Sequence, residues 1–175
     1  MMTAVFGDRG VGKTFILAKE CYKRYKQGYL VVTNFDFVYS HINYANRSPE
    51  EFYKVLAEIL TFKERGLETW LLFGGFKHTG IFIAIDEGHL FFSADLWKRY
   101  QSEPVFQDVI RVLAQARKLD IEIWYTTQDP SKIDKNWRRY TEDWIRFRPV
   151  FPFRRKILIK HPKYPIYTRE IRYLK

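Results

Sequence analysis

Sulfur is scarce in this chain: one cysteine, Cys21, and two methionines. A lone cysteine excludes a disulfide framework and a cysteine-built metal site, so a reducing, intracellular setting is the default expectation. Long hydrophobic runs are missing as well. Runs such as Trp70-Leu71-Leu72-Phe73 fall far short of the ~20 residues a membrane-spanning helix needs. No signal peptide is expected, because the chain enters an apolar run by Thr3. No internal repeat or low-complexity segment stands out. Apolar surface is abundant, at 46% hydrophobic and 18% aromatic residues, which excludes a disordered chain and suffices for one domain with a proper core.

Acidic residues run short only at one end. Residues 1–130 hold 16 Lys+Arg against 16 Asp+Glu, whereas residues 131–175 hold 14 against 4. The whole net charge of +10 therefore sits in the last quarter. A basic tail on a neutral body points to a polyanion partner, nucleic acid first and an anionic membrane surface second. A merely soluble basic surface is the bland alternative.

The motif that organises the chain is Gly7-Asp8-Arg9-Gly10-Val11-Gly12-Lys13-Thr14, which fits G-x-x-x-x-G-K-[ST] at every fixed position. Its glycines let backbone N–H groups wrap a triphosphate. Lys13 is placed to reach the β- and γ-phosphates, and Thr14 to hold Mg²⁺. The flanks agree: Thr3–Phe6 reads as a buried strand, and Phe15 opens a helix whose N-terminus favours the anion. An incidental glycine-rich turn would lack both flanks.

That first helix is expected to run to about Tyr25 and close at Gln27-Gly28, before a buried strand at Tyr29–Thr33 that ends at Asn34. Ser48-Pro49-Glu50-Glu51 is a helix start, with Phe52, Val55, Leu56, Ile59 and Leu60 facing the core. Gly74-Gly75 marks a turn. Ile81–Ile85 is a continuous apolar run that meets two carboxylates, Asp86 and Glu87. After a phosphate loop, such a pair suits a Mg²⁺ ligand at Asp86 and a water-polarising base at Glu87; without the loop it would be a bland acidic turn.

Val105–Leu119 reads as an amphipathic helix with Val109, Val112, Leu113 and Ala116 inward. Ile121–Thr127 is a strand ending at Gln128-Asp129-Pro130. Gln128 either senses the γ-phosphate or caps a turn. From Trp144 onward, short β-like runs alternate with prolines. Residues 144–148, 156–160 and 167–174 are candidate strands, with a hairpin around Pro162–Pro165. The alternation of arginine with aromatics there suits nucleic acid or an ordinary half-exposed sheet, and both readings stand.

Taken together, Gly7–Thr14, the strand ending Thr33-Asn34, Ile83–Glu87, Arg117 and Thr126-Thr127-Gln128-Asp129-Pro130 resemble the additional-strand P-loop ATPases of the FtsK–HerA superfamily. The likeness is strongest to the zonular occludens toxin-like (Zot) assembly ATPases of filamentous phages and to viral genome-packaging ATPases, and it covers about residues 3–139. It implies an α/β fold with a parallel sheet of order 5-1-4-3-2, helices on both faces, and short C-terminal strands. Residues 1–140 would form the nucleotide core and 141–175 a basic extension of one domain. The resemblance implies ATP and Mg²⁺ as cofactors, with Gly7 to Phe15 on the nucleotide and Thr14 and Asp86 on the metal. Lys13, Glu87 and Gln128 would be catalytic, and Arg117 a finger acting across a subunit boundary, with Arg138 and Arg139 as rivals.

A finger in trans implies a ring, a hexamer in this superfamily. DNA through the basic C-terminal region, and viral structural or membrane assembly proteins, are the implied partners. The host cytoplasm is the implied location, with peripheral contact to membrane or virion as a variant. Zot-like proteins typically carry a membrane-spanning segment after the ATPase domain and this sequence has none, which implies either an excised or naturally soluble version or a viral genome-packaging ATPase, the latter fitting a short stand-alone motor better. DNA translocation or virion assembly leads. Export at a membrane without DNA pumping, a P-loop kinase and a nucleotide-gated adaptor follow.

Overall fold

The computed structural model describes residues 1–45, 48–66, 78–150 and 154–160, the backbone alone for 148–150 and 154–160. Strands β1 (Met2–Phe6), β2 (Leu30–Thr33), β3 (Ile42–Asn43), β4 (Ile81–Ile85), β5 (Ile121–Thr127), β6 (Thr141–Val150) and β7 (Arg154–Lys160) form one sheet of order β3-β2-β4-β5-β1-β6-β7. Six are parallel, and β7 closes an antiparallel hairpin with β6. The five inner strands, β6-β1-β5-β4-β2, follow the expected 5-1-4-3-2 order. The sheet extends it by one strand at each edge. β3 is added where residues 34–41 fold back, with His41 N–H on the Val31 carbonyl at 2.9 Å and Tyr44 N–H on that of Thr33.

β2 and β4 read as unbroken apolar runs because helices cover both faces of the sheet; β4 is buried at all five positions. Helix α1 (Lys13–Lys26) packs on one face through Ile16, Leu17 and Cys21. Helices α2 (Pro49–Glu64) and α4 (Pro104–Leu113) pack together on the other, in the largest core cluster. Each fully buried Leu, Ile or Phe in these layers contributes about 1.5–3 kcal/mol. α2 starts as its sequence directs. Ser48 Oγ accepts from Glu51 N–H at 3.3 Å, Glu51 Oε2 accepts from Ser48 N–H at 3.2 Å, and Pro49 occupies the first turn. Phe52, Leu56, Ile59 and Leu60 are buried and Val55 half-buried.

Four elements depart from expectation. α4 ends at Leu113 rather than Leu119, because the Ala116 carbonyl takes the Ile121 N–H and Asp120 turns the chain left-handed (φ 51°) into β5. Short helices α3 (Ala94–Tyr100) and α5 (Lys135–Tyr140) lack enough periodicity to show in the sequence. They close an aromatic box in which Trp137, fully buried, meets Phe92, Trp97, Phe106 and Tyr53. Finally, β6 is ten residues long and lies beside β1, so the basic C-terminal region begins as a member of the central sheet. The hairpin expected at Pro162–Pro165, the strand at 167–174 and the Gly74-Gly75 turn lie outside the described residues. No helix among the described residues is long and apolar enough to cross a membrane.

Candidate nucleotide site

All parallel strands end at the same edge, and three of those ends build the site. β1 delivers the loop Gly7–Thr14, β4 delivers Asp86-Glu87, and β5 delivers Thr126 to Gln128. Between them lies a cleft of about 360 Å³ lined by Arg9, Gly10, Gly12, Lys13, Thr14, Asp86, Glu87 and Gln128. Sequence-distant residues predicted to act on one phosphate group therefore share one cavity.

The loop is held from beneath and from the side. Gly7 (φ 152°) leaves room for the Phe147 carbonyl of β6; a Cβ there would sit 2.4 Å from that oxygen. Val11 is buried against Val5, Ile16, Ile145 and Phe147. Lys13 is 93% buried and donates from Nζ to the Gly7 and Asp8 carbonyls at 2.8 and 2.9 Å, which keeps its ammonium aimed along the loop. Phe15, in the first turn of α1, leaves 65% of its surface open beside Thr14, where a nucleoside could pack.

The acidic turn is clamped from both neighbouring strands. Asn34, at the end of β2, donates Nδ2 to the Asp86 carbonyl at 2.8 Å and accepts the Asp86 N–H at 2.7 Å. From β5, the fully buried Thr126 hydroxyl donates to Asp86 Oδ1 and accepts the Glu87 N–H at 2.9 Å. Thr14 donates to the other oxygen, Asp86 Oδ2, at 2.9 Å. Glu87 itself adopts the left-handed conformation (φ 51°), strained for a residue with a side chain. The next residue must be glycine: a Cβ on Gly88 would meet Tyr125 Cδ2 at 2.7 Å and the Thr126 carbonyl at 3.1 Å.

This turn directs Glu87 into the cleft, where Gln128 Nε2 donates to Oε1 at 3.2 Å. His89 Nδ1 lies 3.3 Å from Oε2, close enough for charge interaction but out of hydrogen-bond alignment. Gln128 also lines a second cleft of about 370 Å³ with Phe6, Gly7, Asp8, Asp129, Pro130, Arg146 and Phe147. The sequence marks Asn34 and Thr126 as strand ends and as part of the family resemblance, with no role assigned to either. The signal that could have singled them out is that each is polar at the mouth of an apolar strand flanking the acidic pair.

Mg²⁺ fits the donor set. The Thr14 hydroxyl and Asp86 carboxylate already share a point 2.9 Å apart, and both are the hard oxygen ligands Mg²⁺ takes alongside phosphate and water. Among the described residues there is no cluster of three or more His, Cys, Asp or Glu that would hold a metal without such help.

Arg117 is elsewhere. It precedes β5, at the sheet edge opposite the cleft, and its exposed guanidinium pairs with Glu142 at the start of β6, which raises its pKa further. It cannot serve the site of its own chain. Arg138 and Arg139 lie on α5, and Arg9 is the arginine that lines the phosphate cleft among the described residues.

A family model described as Zonular occludens toxin (Zot) matches residues 1–154. No curated protein matches the sequence. Among solved structures, the N-terminal domain of zonular occludens toxin from Neisseria meningitidis aligns with TM-score 0.54 and 16% identity, over 91% of this chain and 83% of that one. The genome packaging NTPase B204 from Sulfolobus turreted icosahedral virus 2, in complex with ATP-gammaS, aligns with TM-score 0.65 and 10% identity over 97% of each. The pCW3 conjugation coupling protein TcpA, with ATPgS, aligns with TM-score 0.58 and 14% identity, over 95% of this chain and 60% of that one.

Proposed function

Since this chain belongs to the zonular occludens toxin (Zot) family, we propose that it is a viral-type ATPase that couples MgATP hydrolysis to DNA translocation, genome packaging or virion assembly. The observation that carries the reading is the convergence of Lys13, Thr14, Asp86, Glu87 and Gln128 on one cleft. Similar folds bound to ATP analogues, in a packaging NTPase and a conjugation coupling protein, support nucleotide binding.

In this reading the loop N–H groups and Lys13 hold the β- and γ-phosphates, and Phe15 packs on the nucleoside. Thr14 and Asp86 would hold Mg²⁺, which would neutralise phosphate charge. Glu87 accepts a proton as water attacks the γ-phosphorus; the bond to the bridging oxygen breaks and ADP leaves. Gln128 holds the Glu87 carboxylate and reports whether the γ-phosphate is present. Thr126 and Asn34 keep the acidic turn rigid, so that the base does not wander from the water.

An arginine in trans completes the charge stabilisation. Arg117 is exposed on the edge far from its own cleft, which suits delivery to a neighbour in a ring, a hexamer by family likeness; Arg138 and Arg139 compete for the role. In this reading 1–175 is one domain, in which the basic stretch 131–175 offers phosphate contacts to DNA. The host cytoplasm is the proposed setting.

The test is steady-state ATP hydrolysis with and without single- and double-stranded DNA, for wild type and Glu87→Gln. Stimulation by DNA, weakened by salt, with a loss of about 10²-fold or more in the variant, is expected. ATP bound but never hydrolysed refutes the enzyme reading. Hydrolysis indifferent to DNA refutes the DNA arm and moves the driven step to export or assembly at a membrane.

A further inference from the structure

The second half of α1 differs from the body around it. Residues 1–130 are neutral overall, yet Lys19, Lys23, Arg24 and Lys26 face only Glu20 within this stretch. Arg24 pairs with Glu122 of β5 and Lys23 Nζ lies 3.7 Å from Glu20, so these last turns keep a net positive charge. The same turns present Tyr22 and Tyr25, and the connection from β2 to β3 folds back beside them with Phe35, Phe37, Tyr39 and His41.

These rings touch in series. Centroid separations are 6.3 Å for Phe35–Phe37, 5.7 Å for Phe37–Tyr39, 5.2 Å for Tyr39–Tyr22 and 4.8 Å for Tyr39–Tyr25. Tyr25 continues to His41 at 5.7 Å. A ring cluster of this size is ordinarily sunk in a core, as the one around Trp137 is. Here Tyr22 and Tyr25 each keep 39% of their surface open and Tyr39 keeps 41%, with Val38 at 92% beside them. Lys26 Nζ lies 5.1 Å from the centre of the Tyr22 ring, at cation–π distance. Contiguous apolar surface of this kind marks a binding face.

Charge decides the occupant. Set against its own copy, this face would put Lys23 and Lys26 against the same lysines, and an apolar peptide would strip water from lysines without pairing them. A single-stranded polynucleotide satisfies both features, with bases stacked on tyrosines and phosphates on lysines. A duplex hides its base faces and satisfies only the second. We propose that the Tyr22–Tyr25–Tyr39 face, with Lys23 and Lys26, is a stacking platform for single-stranded polynucleotide. It rests on the DNA arm of the proposed function, and it is a site separate from residues 131–175. α1 joins it to the phosphate loop: the helix sets Lys26 about 20 Å from Lys13.

Fluorescence anisotropy of the full chain with labelled oligothymidylate, oligouridylate and a duplex of equal length tests it. Tyr25→Ala with Tyr39→Ala is expected to weaken single-strand binding about tenfold per tyrosine, in DNA and RNA arms alike. Lys23→Gln with Lys26→Gln should reduce the slope of log affinity against log salt by about 1.4. Basal ATP hydrolysis should not change in either variant. Single-strand binding that survives both variants, or a preference for duplex, overturns the platform while leaving the DNA arm intact. A wild type that binds no nucleic acid overturns the DNA arm and the platform with it. Photocrosslinking of unmodified protein to 5-iododeoxyuridine oligonucleotide decides the case should a variant misfold. Labelled peptides from α1 or the β2–β3 connection support the platform, and label confined to 131–175 refutes it.

Discussion

Thr126→Val isolates one hydroxyl that the acidic turn depends on. Valine keeps the shape of threonine, so the fully buried site is neither opened nor overfilled. Two bonds vanish: the one donated to Asp86 Oδ1 and the one accepted from Glu87 N–H. Leaving a buried N–H unpaired costs about 1–3 kcal/mol, and a bond to a carboxylate contributes about 1.5–3 kcal/mol. Asp86 is half-buried and keeps Thr14, so water recovers much of the second loss. A net loss of about 2–3 kcal/mol follows, or roughly 5–10 °C in Tm for a chain of this size.

The catalytic consequence is of similar size. Freed on one side, the left-handed Glu87 relaxes, and about 1 Å of displacement at a catalytic base costs on the order of 10²-fold in kcat. Nucleotide affinity, set by the phosphate loop, should hold. Thr126→Ser keeps the hydroxyl and should restore kcat to within a few-fold. Thermal melts, equilibrium binding of a non-hydrolysable ATP analogue and steady-state turnover measure all three quantities. A valine variant that melts with the serine variant and turns over like wild type refutes the clamp.

Three further outcomes are expected. Gly88→Ala should cost about 1–3 kcal/mol in denaturant unfolding, since its Cβ would press into the Tyr125 ring; an unchanged midpoint would remove the close-approach argument. Burial pushes the Cys21 thiol up to about 12, so N-ethylmaleimide at pH 8 should label it only after unfolding. His41 has a lowered pKa, from burial first and then the His78 ring, and its Nδ1 accepts the Val31 N–H at 2.9 Å. A depressed imidazole stabilises the fold fully above the unfolded value of about 6.5 and loses that contribution as pH falls through the folded value. Tm should therefore drop from pH 7 to pH 5, and less so in His41→Asn.

How much of this was legible depends on whether the signal was local. The phosphate loop was, because Gly7–Thr14 needs its glycines and its Lys-Thr pair wherever it occurs. The capping box at Ser48–Glu51 was, because all four residues act within one turn. Asp86, Glu87 and Gln128 stand out as candidates because strand ends are marked by abrupt polarity. The clamp was not. Asn34 and Asp86 are 52 residues apart, and only the sheet order makes them neighbours. Likewise α5 has six residues and no helical period to read; its reason for existing is the slot Trp137 fills. The alternation at 144–148 marked an inside–outside strand but not its length, since β6 is ten residues because β1 and β7 pair with it on either side.

The placement of β6 gives the molecule a mechanical grain. β6 runs parallel to β1 through their shared register, so a load along the strands strains those bonds in shear and together. β7, paired along one edge only among the described residues, can be peeled bond by bond by a load across the sheet. The Phe147 carbonyl rests against Gly7, where no side chain intervenes. A pull on the C-terminal hairpin along the sheet therefore arrives at the phosphate loop as displacement, while the same pull from the side is absorbed at the rim. Whatever the tail grips, the direction of the tug decides whether the nucleotide feels it.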